Sequence, residues 1–149
     1  MIKLSKNFSF NELTNTSHKD LIYQNRILAT AHMPILVLTA KMLEDIRLLL
    51  NCPIHISSGF RFLDLNNRVG GSVKSRHLSG LAVDIYFKNM TTEEAFKILL
   101  NSNLTSFRKV IIESVKGKNW IHIETKVNQE DKTQFYTTKN GVNYEEVFR

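Results

Sequence analysis

The segment 57-SSGFRFLDLNNRVGGSVKSRHLSGLAVDIYF-87 joins a loop rich in glycine and basic residues to a short strand that carries an acidic residue. In the strand, LAVDIYF, side chains of alternate residues point to opposite faces. Asp84 therefore lies opposite the more apolar face, which holds Leu81, Val83, Ile85 and Phe87. The segment predicts a sheet with one face in the core and a second face that displays Asp84.

Helical patterns precede this segment, and further strands follow it. Ser9 with Glu12, and Thr91 with Glu94, have the spacing of a capping box at the start of a helix. Apolar residues recur three or four apart over 34–51, which predicts the longest helix. Strands are predicted at IHIS (54–57), KVIIE (109–113), WIHIE (120–124) and QFYTT (134–138). We therefore predict an α+β fold, with helices packed on a small antiparallel sheet, in a single domain over residues 1–149.

Composition limits the class of protein and the kind of metal site. The net charge of +6 favours polyanionic partners, although the basic residues are scattered as on an ordinary solvated surface. The single cysteine excludes an internal disulfide and a thiolate cluster for zinc. No apolar window is expected to span a membrane, and the N-terminal residues do not resemble a secretory signal. We expect no membrane insertion, and synthesis in the cytoplasm.

Three residues have the types and placement of a catalytic zinc site. His77 and Asp84 are separated by six residues, enough for a turn between a loop and a strand. His122 lies on a later strand, on its less apolar face with Trp120 and Glu124. A catalytic zinc takes three protein ligands and leaves a fourth position for water. Glu113, at the end of KVIIE, is the candidate general base.

Each of these residues also has a structural interpretation when taken singly. A histidine near a strand is more often a hydrogen-bonded structural residue than a metal ligand. Asp84 could cap a turn, and Glu113 and Arg61 could be solvated surface charges. The remaining histidines do not repeat the ligand spacing and are interpreted as structural or surface residues.

The combination resembles the zinc D-Ala-D-Ala carboxypeptidase family of peptidoglycan peptidases. The similar motifs are S-G-F-R at 58–61, L-N at 65–66, V-G-G at 69–71, S-x-H-x-x-G-x-A-x-D at 75–84 and W-I-H at 120–122. The resemblance implies the hedgehog/DD-peptidase fold and Zn²⁺ ligation by His77, Asp84 and His122. It also implies that Arg61 binds a substrate carboxylate or polarises the scissile carbonyl, and that Ser75 lines the site.

The chain departs from the family pattern at two positions. Asn119 stands where many members have an acidic residue, and Trp120 stands where some have a second histidine. V-I-I-E-S at 110–114 resembles the strand that bears the glutamate in other members, so the base is assigned to Glu113.

The expected function is zinc-dependent hydrolysis of peptidoglycan stem peptides by a monomer. Carboxypeptidase and endopeptidase action both remain open, and delivery to the cell wall as a phage or prophage endolysin is expected. One alternative is a non-catalytic zinc-containing module that binds peptide or cell wall, since the hedgehog signalling domain shares the fold. A nucleic-acid binder is the other alternative, but the sequence has no recognised motif for it. We expect no nucleic-acid partner.

Overall fold

The structure is a computed structural model that describes residues 1–148. Its helices are α1 Phe10–Leu13, α2 Ile22–Ala29, α3 Met33–Leu50, α4 Leu63–Arg68 and α5 Thr92–Leu100. Short 3₁₀ turns cover Thr30–His32 and Arg76–Ser79. Its strands are β1 His55–Ser58, β2 Ala82–Tyr86, β3 Phe107–Val115, β4 Lys118–Thr125, β5 Gln134–Thr138 and β6 Glu145–Val147. The predicted α+β class is confirmed.

The six strands form one mixed sheet in the order β1-β2-β4-β3-β5-β6. The prediction of a small, purely antiparallel sheet was wrong, because β3 and β5 pair in parallel. The chain reverses between β3 and β4 and again between β4 and β5, so β5 regains the direction of β3. A local pattern in QFYTT contains no information about that pairing, which depends on residues far away in the sequence.

One face of the sheet is the core. Residues from β2, β3 and β4 are fully or almost fully buried there: Val83, Ile85, Val110, Ile121 and Ile123. Helices α3 and α5 pack against this sheet. Burial of a large aliphatic side chain contributes about 1.5–3 kcal/mol, so the alternating pattern determines which face of each strand turns inward. The opposite face is left for polar residues.

Helix boundaries follow the signals in the sequence. Ser9 and Thr91 form the predicted capping boxes with Glu12 and Glu94. The long helix begins at Met33 and ends at Leu50, and Asn51 follows it in the left-handed conformation. Helices α2 and α4 were not predicted, because α2 is weakly amphipathic and α4 has only six residues.

The helical run Ile22–Leu50 contains an 18-residue window with mean hydropathy 1.3, apolar enough by length and composition to cross a membrane. The expectation that no window would reach this threshold was wrong. Leu36, Ala40 and Leu43 of this run are fully buried in the protein core. The core helix of a soluble protein passes the same test, so the run is weak evidence for a span.

The N-terminal helices hold the loop that follows β1. Phe60 N donates to Leu13 O over 2.7 Å, and the buried amide of Asn25 donates to Phe60 O and accepts from Phe62 N. A Cβ atom on Gly59 would lie 2.2 Å from Leu13 O. Only glycine allows this close approach of the two backbones. The contact fixes the loop that carries Arg61.

Candidate metal centre

The polar face of the sheet is the floor of an open cleft of about 910 Å³. Directly opposed residues of antiparallel strands share a face, so the pairing register arranges the cleft side chains in rows across the strands. Neighbouring rows are two residues, or about 7 Å, apart along a strand. We name them the Glu113 row, the ligand row and the Lys109 row. In that order they contain Glu113 with Trp120, Asp84 with His122, and Lys109 with Glu124.

The three predicted ligands meet at the ligand row, to which the 3₁₀ turn adds His77. His77, Asp84 and His122 each offer one ligand atom, and these atoms lie within 4.8 Å of one another. Asp84 Oδ1 is 3.3 Å from His77 Nε2 and 2.9 Å from His122 Nδ1. Residues far apart in the sequence are thus brought together by the pairing of β2 with β4 and by the 3₁₀ turn at Arg76–Ser79.

The 3₁₀ turn and the loop after β1 orient His77. Ser75 Oγ accepts from His77 N at the start of the turn, and Gly80 ends it with a φ of 76°. His77 Nδ1 donates to the carbonyl of Gly59 over 2.7 Å, which leaves the lone pair of Nε2 directed toward Asp84. A backbone carbonyl on the outer nitrogen is a common way to set the tautomer of a ligating histidine.

The two histidines of the cluster differ in protonation when no metal is bound. Burial lowers the pKa of His77, so its ring is neutral at pH 7. Burial would raise the pKa of Asp84, but the two histidines hold it well below its usual range. Burial would lower the pKa of His122, yet its hydrogen bonds to Asp84 and Glu124 raise it to about 9, so this ring must release a proton when it binds a metal. Two imidazoles and one carboxylate, with outer partners for both rings, fit the donor set of a catalytic Zn²⁺.

Arg61 contacts the candidate ligand Asp84. Its Nη2 donates to Asp84 Oδ2 over 2.7 Å, and its Nε donates to Ser58 Oγ over 2.8 Å. The guanidinium therefore holds one carboxylate oxygen and leaves Oδ1 beside the histidines. Arg61 also lines the cleft. The contact of Arg61 with substrate stays a prediction. Its Nη1 makes no hydrogen bond to residues 1–148 and is the nitrogen that would make this contact.

Ser75 also lines the cleft, where its hydroxyl caps the turn that carries His77. This contact places Ser75 near the candidate metal centre and accounts for it as a structural residue. A contact between Ser75 and substrate stays a prediction.

Glu113 lies one row away from the candidate ligands and lines the same cleft. Burial raises its pKa, and the negative charge of Asp84 raises it further. A carboxyl with a raised pKa is closer to the range suited to proton transfer at neutral pH. Asn119, whose amide cannot act as a base, donates to Glu93 Oε1 over 3.2 Å. The assignment of Glu113 as the general base stays a prediction, which its position in the same cleft as the ligands allows.

Glu124 was not recognised as a site residue, although the alternation in WIHIE placed it on the face of His122. Its side chain is 10% exposed, and its Oε1 lies 3.5 Å from His122 Nε2. Its Oε2 lies 3.2 Å from Arg108 Nε and 3.5 Å from Arg76 Nε. Glu124 therefore contacts Nε2 of His122, the ring nitrogen that faces away from Asp84. The carbonyl of Gly59 makes the equivalent contact with Nδ1 of His77.

Replacing Glu124 with glutamine should weaken zinc binding by roughly tenfold to a hundredfold, the usual effect of losing an outer partner of a ligating histidine. The amide keeps the shape of the side chain but loses the charge that attracts the proton on His122 Nε2. Competition with a chromogenic chelator measures the affinity. Glu130→Gln, at an exposed position, is the matched control. Equal affinities of the two variants would contradict this role of Glu124.

Comparison with known proteins agrees with the site. No curated protein matches the chain. A family model described as Peptidase M15 matches residues 6–124. The match covers helices α1 to α5, strands β1 to β3, β4 up to Glu124 and all three candidate ligands. The chain therefore belongs to the peptidase M15 family of zinc-dependent metallopeptidases.

Proposed function

We propose that this protein is a zinc-dependent peptidase that hydrolyses amide bonds in peptidoglycan stem peptides. One observation carries the proposal: the His77, Asp84 and His122 cluster and the carboxyl of Glu113 line the same open cleft. A cleft of about 910 Å³ lies in the range of sites for small ligands and short peptides. Membership of the peptidase M15 family supports the reaction class.

His77 Nε2, Asp84 Oδ1 and His122 Nδ1 would hold the metal. When bound, zinc lowers the pKa of a water molecule to about 7 and polarises a carbonyl group. The carboxylate of Glu113 takes a proton from the attacking water and passes it to the leaving nitrogen as the C–N bond breaks. The water oxygen joins the carbonyl carbon. Hydrolysis therefore needs only one residue, Glu113, to carry a proton from the water to the leaving nitrogen.

Two further residues position the reactants in this mechanism. Arg61 neutralises Asp84 Oδ2 and, through Nη1, binds a substrate carboxylate or polarises the scissile carbonyl. Ser75 lines the cleft and holds the turn of His77. We also propose that the protein acts as a monomer.

The choice of peptidoglycan rests on the resemblance of the motifs and on charge. A net charge of +6 attracts the protein to an anionic wall polymer. The proposed delivery route is synthesis in the cytoplasm and release to the wall, as for a phage or prophage endolysin.

The test is to incubate the zinc-loaded protein with purified peptidoglycan and with a pentapeptide that ends in D-Ala-D-Ala. Mass spectrometry of the products then identifies the bond. Release of one D-Ala establishes a carboxypeptidase, and cleavage only in the polymer establishes an endopeptidase. If zinc is bound and neither substrate is cleaved, the peptidase proposal fails and a non-catalytic binding module replaces it.

A further inference from the structure

A β-bulge places two basic residues beside Glu124. In the pairing of β3 with β4, Phe107 is opposite Thr125 and Lys109 is opposite Glu124, so Arg108 is an extra residue on β3. A bulge of this kind redirects a side chain, and bulges are frequent next to active sites. Here it lets Arg108 approach Glu124 while Lys109 stays on the floor of the cleft.

The charge of Glu124 is already matched by other residues. Arg108 and Arg76 both lie within ion-pair distance of its carboxylate. Lys109 has no carboxylate within that distance among residues 1–148, and its Nζ lies 5.6 Å from the centre of the Tyr136 ring. Lys74, two residues before Arg76, also lines the cleft. This end of the cleft therefore carries an excess of positive charge.

Lys109 lies close enough to the candidate metal ligands for its positive charge to contact a bound substrate. Its row lies about 7 Å from the ligand row, on the side opposite the Glu113 row. An extended peptide advances about 3.3–3.6 Å per residue. A substrate with its scissile bond at the ligand row therefore brings a group one or two residues away within reach of Lys109.

We propose that Lys109, supported by Arg76 and Lys74, binds a carboxylate of the substrate within two residues of the scissile bond. The inference rests on the proposed peptidase function and narrows it to peptides with a free carboxylate beside the cleaved bond. Lys109 is a specificity-determining residue in this assignment. Its half-buried ammonium acts on Glu124 only from beyond ion-pair distance, so a substrate carboxylate would give it a direct charged partner.

The experiment uses two synthetic peptides that reproduce the bond cleaved in peptidoglycan, or the D-Ala-D-Ala pentapeptide if no bond is cleaved. They differ only in whether the carboxylate within two residues of the scissile bond is free or amidated. Binding to the zinc-loaded Glu113→Gln protein is followed by fluorescence of Trp120, which lines the cleft and is the only tryptophan of the chain. Turnover of both peptides by the wild-type protein is measured in parallel.

We expect the free carboxylate to bind about tenfold more tightly than the amide. Adding Lys109→Met, which keeps an unbranched stem beside Tyr136, should reduce this preference to about twofold or less. Adding Lys41→Met instead, at an exposed position of α3 outside the cleft, should leave the preference intact. A melting curve of each variant shows that it is folded.

Equal affinity for both peptides, with turnover of both, would overturn the assignment of Lys109 and leave the peptidase function standing. A preference that survives in the Lys109→Met protein would also overturn it. Absence of turnover for both peptides would instead reject the proposed function, whatever their affinities.

Discussion

Replacing Asp84 with asparagine should abolish both zinc binding and peptidase activity. Asp84 Oδ1 contacts the rings of His77 and His122, and Oδ2 accepts from Arg61. The amide has nearly the same volume, but it is neutral and is a poor ligand for zinc. We expect zinc affinity to fall by roughly a thousandfold or more, because one of three ligands and the only negative charge among them are lost.

Zinc content after dialysis and peptidoglycan hydrolysis are the two measurements for Asp84→Asn. The matched control is Asp64→Asn, on the exposed side of α4, which should keep both properties. Thermal unfolding separates a lost ligand from a lost fold, because Arg61 loses its buried partner in the variant. Stoichiometric zinc at wild-type affinity in a folded Asp84→Asn protein would refute the assignment of Asp84 as a ligand.

Replacing Glu113 with glutamine should lower turnover by roughly a hundredfold to ten-thousandfold while zinc binding is retained. Glu113 lies in a different row from the ligands and makes no hydrogen bond to His77, Asp84 or His122 in the described part of the chain. The glutamine side chain keeps the size of Glu113 but cannot accept the proton of the attacking water. The loss should therefore appear in kcat.

Steady-state kinetics on the cleaved peptide, with zinc content measured on the same sample, test the role of Glu113. Glu130→Gln is again the control, because it makes the same chemical change at an exposed position. Unchanged kcat in Glu113→Gln would remove Glu113 from the mechanism. A fall in activity that simply follows a loss of zinc would show that Glu113 supports the metal and does not transfer the proton.

The sequence predicts the position of the Glu113 side chain better than the contacts of Arg61. Alternation along KVIIE places Glu113 on the polar face, and the pairing of β3 with β4 then brings it into the cleft. The substrate contact of Arg61 stays a prediction, and the sequence did not predict that two of its nitrogens donate to Ser58 and Asp84. Contacts of a long side chain depend on what lies around it, which local sequence does not specify.

By itself, the sequence determined the long helix α3, the capped starts of α1 and α5, the approximate positions of strands β1 to β5, the polar face of β2 and β4, and the residue types that could bind zinc. These features depend on capping, on alternation along a strand and on side-chain chemistry, all of which act over a few residues. Only the tertiary structure decided the parallel pairing of β3 with β5, the contact of Glu124 with His122 and the bulge that lets Arg108 approach Glu124. Those features depend on strand register and on contacts between distant segments, because each side chain finds its partner only after the sheet has formed.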